Sequence, residues 1–139
     1  MGLTHDFYLV DNEITWENIP EEAIMTKVPD NFFISIQDYL RWVNTERDDG
    51  KVEKGFFYYG ISIVKETELE KFLSILDSLI LLYNHSSEDF YLTGFYLPDE
   101  NRYEENYFQK KEVLNILNSL RAIANEAITR KKKIIHMGI

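Results

Sequence analysis

The sequence predicts an α+β fold. Residues 1–139 form one domain, with a single mixed sheet of about four strands and two or three long helices packed mainly on one face. Three observations predict it. In Thr67–Asn84 (TELEKFLSILDSLILLYN), Leu69, Phe72, Leu73, Leu76, Leu79, Ile80 and Tyr83 recur at i, i+3, i+4 and i+7, the spacing of one helical face. A second periodic stretch runs from Phe108 to Arg130, with Val113, Leu114, Leu117, Leu120, Ile123, Ala124, Ala127 and Ile128 in register. Runs of branched and aromatic residues, each set apart by helical or long irregular segments, supply the strands.

Leu3–Val10 (LTHDFYLV) reads as the first strand. The next twenty residues hold Pro20 and Pro29 and read as an irregular acidic connection, with a helical turn near Glu21–Met25. Ser35 is placed to cap a helix from Ile36 to about Arg47, which would bury Ile36, Tyr39, Leu40 and Val43. Asn31–Ile34 either extends that helix or forms a short strand. Asp48, Asp49 and Gly50 make a turn, and Phe56–Val64 follows as a strand. In the central helix Thr67 and Glu70 have capping-box spacing, while Ile75, Leu81 and Leu82 widen the stripe and predict cover on two sides. Phe90–Leu97 is the third strand, and Pro98–Asn106 a polar, acidic loop. Arg130, Lys131, Lys132 and Lys133 sit where cations complement the negative end of the last helix. Ile134–Ile139 closes the chain as a strand. Gly60 and Gly94 fall inside strands, where each marks a bulge or a close approach of another group or, in the plainer reading, relieves crowding among large rings.

Composition bounds the function. A chain of 139 residues with 45% hydrophobic content can bury one proper core. The longest apolar run, Leu79–Tyr83, is too short to span a bilayer, and no basic-then-apolar leader opens the chain, so the expected location is cytoplasmic. The absence of cysteine excludes disulfides, thiolate catalysis and cysteine-ligated zinc. Net charge is −9, and residues 1–30 set seven carboxylates against Lys27 alone. Such a surface repels nucleic acid and anionic membranes and attracts a basic partner, although acidity also serves solubility.

No motif for catalysis, cofactor binding or metal binding stands out. His5, His85 and His136 are far apart; His5 and His136 would face each other if the terminal strands pair, and a structural role fits them because no third ligand is evident. Adjacent acids at Glu21/Glu22, Asp48/Asp49 and Glu104/Glu105 read as solvated pairs. The chain is therefore expected not to be an enzyme and to need no cofactor. What does stand out is DENRYEENYF, where Tyr103 and Tyr107 lie among Asp99, Glu100, Glu104 and Glu105. Rings among carboxylates offer apolar contact area, hydrogen bonding and attraction for Lys or Arg. This stretch is the candidate partner surface, with Trp16 and Trp42 as secondary candidates. In the competing reading, Trp16 plugs the core and the tyrosines lie flat on their own helix.

Several features of layout accumulate: the MGL opening, Phe32 and Phe33 ahead of the first long element, the Leu-rich ELEKFLSILDSLI, and the helix, lysine run and strand of LRAIANEAITRKKKIIHMGI. In these the chain resembles the small immunity proteins encoded beside bacterial polymorphic toxins, nearest the family called immunity protein seventy. The resemblance implies a stoichiometric cap on a cognate toxin domain, often a basic nuclease, with no turnover of its own. Glu100, Glu104 and Glu105 would then pair with toxin Lys or Arg, and Tyr103 and Tyr107 would anchor. Two other classes stay open: an acidic inhibitor of a host defence enzyme, and a small carboxylate-based enzyme. Strand order and oligomeric state are not legible.

Overall fold

Alternate residues of the first strand are buried, and that pattern sets the whole sheet. The computed structural model describes residues 2–139; Met1, the first residue of the MGL opening, lies outside them. In chain order the elements are β1 (Thr4–Val10), a 3-10 turn (Trp16–Asn18), β2 (Met25–Pro29), α1 (Asp30–Leu40), β3 (Asn44–Glu46), β4 (Val52–Lys54) and β5 (Ile61–Val64). There follow α2 (Thr67–Tyr83), β6 (Asp89–Leu97), β7 (Arg102–Gln109), α3 (Lys110–Thr129) and β8 (Lys133–Met137). Antiparallel ladders join the main sheet in the order β2-β1-β8-β5-β3-β4, and β6 with β7 forms a separate hairpin.

Register puts Val28, His5, Phe7, Leu9, Ile134, His136, Ser62 and Val64 on one face of that sheet, all buried. The three helices meet that face. α1 contributes Phe32, Phe33, Ile36 and Leu40, α2 Leu69, Phe72, Leu76 and Leu79, and α3 Val113, Leu117, Leu120, Ile123, Ala124 and Ala127, in one apolar cluster. Each large side chain moved from water into this cluster stabilises the fold by about 1.5–3 kcal/mol. Among the described residues no helix is long and apolar enough to cross a membrane.

The α+β class is as expected; the sheet is larger and simpler than expected. It is antiparallel, not mixed, and has six strands, not about four. β2 occupies part of the supposed irregular connection. Its five residues end at Pro29, which an edge strand tolerates because that side needs no ladder N–H. α1 starts at Asp30, so Asn31–Ile34 extends the helix, one of the two readings open for it, and α1 ends at Leu40 instead of near Arg47, because Asn44–Glu46 leaves it to pair with β4 and β5. Ser35 lies inside it, its hydroxyl donating to the Asn31 carbonyl. Of Phe56–Val64 only Ile61–Val64 is strand. α2 has its expected span, but Glu66, at φ 57°, is the N-cap, and no side chain caps it. Leu81 and Leu82 are exposed, so α2 is not covered on two sides.

The basic run does not simply cap α3. Lys132 pairs with Asp11 at 3.2 Å, and the buried Lys133 donates to the Asn12 carbonyl at 2.8 Å. These contacts tie the end of α3 to the connection that follows β1. Gly60 fits the expectation of crowding by a ring, since a Cβ there would meet Phe57. Gly94 instead faces Asn106 and Glu104, beside a register shift between Thr93 and Tyr96.

Candidate functional site

The stretch expected to be an acidic loop is mostly β7. A turn at Pro98–Asn101, with Asn101 at φ 51°, returns the chain so that Tyr91 pairs with Tyr107, Thr93 with Glu105 and Tyr96 with Tyr103. Strand alternation then sorts the side chains. Phe90 and Phe108 turn inward and pack on Tyr83 and Phe32, with ring centroids 5.8 Å and 5.7 Å away. At the base the Lys110 N–H donates to the Glu88 carbonyl at 2.8 Å. The hairpin is thus fixed to α1, α2 and α3 by its inner rings while its outer face meets solvent.

On that outer face two cross-strand pairs of tyrosines stand in a row. Tyr91 and Tyr107 have centroids 5.7 Å apart, and Tyr96 and Tyr103 5.0 Å. All four are between 45% and 64% exposed, which leaves large rings uncovered on a two-stranded sheet. Glu105 lies between the pairs, opposite Thr93. The Tyr107 hydroxyl donates to Asp89 at 2.6 Å, and this bond to a carboxylate raises the phenol's pKa, so the ring stays neutral and held in place. The Tyr96 hydroxyl likewise donates to Asn101. At the tip Arg102 is taken up by Glu100 at 2.9 Å, while Asp99 forms no ion pair among the described residues.

The structure therefore brings Tyr103, Glu105 and Tyr107 onto one face, with Asp99 and Glu100 at its tip. Glu104 points to the other face, beside Gly94 and Asn106. The adjacent acids Glu104 and Glu105 consequently do not converge. Trp16 is not part of this surface. Its connection is held at the far end of α3 by the Asn12 amide on the Lys131 carbonyl, whereas β7 enters α3 at the near end, a helix length of about 30 Å away. Trp16 is 42% exposed, so it does not plug the core. Sequence reasoning missed Tyr91, Phe95 and Tyr96, which were counted with strand β6 and so with the core. For Tyr91 and Phe95 the alternation of FYLTGFYL carried the signal, since Phe90 and Leu92 occupy the inward positions; Tyr96 shares their parity and is turned outward only by the register shift between Thr93 and Tyr96, which nothing in the sequence marks but Gly94.

A second cluster lies under α1. β1 and β8 pair, and His5 Nδ1 meets His136 Nε2 at 3.0 Å. His5 Nε2 lies 2.9 Å from Asp30 Oδ1, which also accepts from the Tyr58 hydroxyl at 2.5 Å. A carboxylate only accepts, so His5 carries its proton on Nε2 and His136 donates from its own Nε2. His136 Nδ1 is left as a lone pair, and that atom is buried without a partner. His5 stacks on Phe33 at 3.8 Å, and both imidazoles are fully buried. Burial pulls the pKa of His5 down against the opposing pull of Asp30, and pulls His136 well down with help from His5 and Arg47. The opening beside Asp30 is lined by Gly2, Leu3, Pro29, Asp30 and Asn31, and by neither ring. The chain Tyr58–Asp30–His5–His136 is a polar tie within the core between β1, β8 and the start of α1. No group of three His, Asp or Glu side chains fit to hold a metal occurs among the described residues.

Comparison with protein families, curated proteins and solved structures finds no match.

Proposed function

We propose that this protein is a stoichiometric inhibitor of the immunity type, which caps a basic toxin domain with the outer face of the β6–β7 hairpin. One observation carries the reading: two exposed pairs of tyrosines on a rigidly based hairpin, with Asp89, Asp99, Glu100 and Glu105 around them. Tyrosine supplies large contact area at small entropic cost, and four rings in a row are what a hot-spot cluster needs. The flanking acids steer the hairpin toward a cationic cleft and imitate the phosphates that a nuclease would hold there. Net charge of −9 adds to the attraction at a distance. Glu104 faces away and supports the hairpin from behind, whereas Glu105 takes the central contact.

The test is inhibition at defined stoichiometry. A basic domain captured by this protein is titrated with it in that domain's own assay, at low and at high salt. Complete inhibition at one to one, with affinity that falls as salt rises, is the expected result. Turnover of the captured domain at saturating inhibitor contradicts the capping reading.

A further inference from the structure

Away from the hairpin face, the end of α1, Trp42 just beyond it and α2 flank an open groove of about 350 Å³ with an unusual division of polarity. Tyr39, Trp42, Ile75, Leu79 and Leu82 form its walls, and Trp42 and Leu82 are 63% and 57% exposed. The Ser78 hydroxyl is turned onto the Ser74 carbonyl of its own helix at 2.9 Å and so offers the groove no donor. Lys71 sits at one end, and Leu82 closes the other, about 16 Å along α2. Beyond Trp42 and Lys71 the groove adjoins a second hollow lined by Arg41 and Lys54, with Asp38 as its carboxylate. Arg41 is matched by Asp38 and Lys71 by Glu68, while Lys54 forms no ion pair among the described residues. Lys71 also donates to the Trp42 carbonyl at 3.1 Å, so the hollow adjoining one end of the apolar groove carries an excess of one cation, Lys54, on a chain whose net charge is −9.

We propose that this groove binds a single-chain amphiphile with an anionic head, such as a medium-chain carboxylate. The tail runs from Trp42 to Leu82, and the head meets Lys71, Lys54 and Arg41. A volume of 350 Å³ lies at the small end of ligand sites and suits a tail of about ten carbons. Charge at one end only is the pattern of a head-and-tail molecule. A docked helix would instead need charges along the rim and a far larger buried area. The proposal is independent of the hairpin reading, because none of its residues lies on β6 or β7.

The experiment follows Trp42 emission in a Trp16→Phe background, titrating decanoate, decanol and decyltrimethylammonium below their micellar concentrations. Decanoate is expected to give a saturable change, with decanol about fivefold weaker and the cation weaker still. Leu82→Ser, at an exposed position, is expected to abolish the response with an unchanged circular dichroism spectrum. Lys54→Gln/Lys71→Gln is expected to bring decanoate down to the level of decanol. No saturable response to decanoate, equal responses to all three probes, or a response untouched by Leu82→Ser overturns the proposal.

Discussion

The buried imidazole pair makes stability depend on pH in a window that few other groups reach. The folded-state pKa values of His5 and His136 are held below the 6.5 of a free histidine, that of His136 well below it. As pH falls through 6.5 the unfolded chain therefore binds protons that the folded chain refuses, and stability falls with it. From about pH 7.5 to about pH 5.5 each ring that remains neutral costs about 1.4 kcal/mol, so the pair costs up to about 3 kcal/mol. Asp30 and Asp6 draw a proton toward His5, and Arg47 and the neighbouring imidazole repel one from His136, so His136 carries the larger share. His136→Leu removes that share. It also strips His5 Nδ1 of its donor, at a cost of about 1–3 kcal/mol at neutral pH. Urea unfolding followed by circular dichroism at pH 7.5, 6.5 and 5.5 measures both effects. The variant is expected to be weaker at pH 7.5 yet to lose about 1.4 kcal/mol less on acidification. A native protein whose unfolding free energy is flat across this range, or a variant with the same slope, refutes the argument.

Other substitutions probe the remaining parts of the account. Asp30→Asn keeps acceptors for His5 and Tyr58 but removes the charge from the first residue of α1, and is expected to cost about 1–2 kcal/mol in urea unfolding. Gly138→Ala would set a Cβ on the Tyr58 carbonyl and break the Gly138–Gly60 and Ile139–Tyr58 backbone bonds; a fall in melting temperature of several degrees is expected, larger than for Gly60→Ala, whose Cβ meets only the movable Phe57 ring. Leu117→Ala, fully buried in α3, is expected to lose about 3–5 kcal/mol in the same assay. Tyr91→Ala/Tyr107→Ala is expected to change stability by less than about 1 kcal/mol while weakening partner binding about a hundredfold in calorimetry; Trp16→Ala is expected to leave that affinity unchanged.

What was legible in the sequence follows from how burial is written into it. α2 and α3 bury the positions their periodicity marks, because a helix on one face of a sheet must repeat its apolar residues every third or fourth place. The meeting of His5 and His136 was legible as well, since both sit at buried positions of strands that pair. β7 was not. In RYEENYFQ the aromatic Tyr103 and Tyr107 face outward while Glu104 and Asn106 face inward, the reverse of the usual apolar-in pattern, so a strand read as a loop. β3 and β4 are three residues each, too short to show a period, and Val43 continued the register of α1 past its true end. Within the candidate site the residue types were visible, but their faces were not. Which of Glu104 and Glu105 looks outward depends on a register that the turn at Pro98–Asn101 sets.

The most direct test of the hairpin reading compares two baits, the native protein and Tyr91→Ala/Tyr107→Ala, in parallel pull-downs from lysate of the source cell at low and high salt. Bound proteins are identified by mass spectrometry. The account predicts one basic protein that the native bait retains at low salt, releases as salt rises, and that the variant does not retain. Equal recovery of the same proteins by both baits, or recovery of nothing but the bait itself, would contradict it.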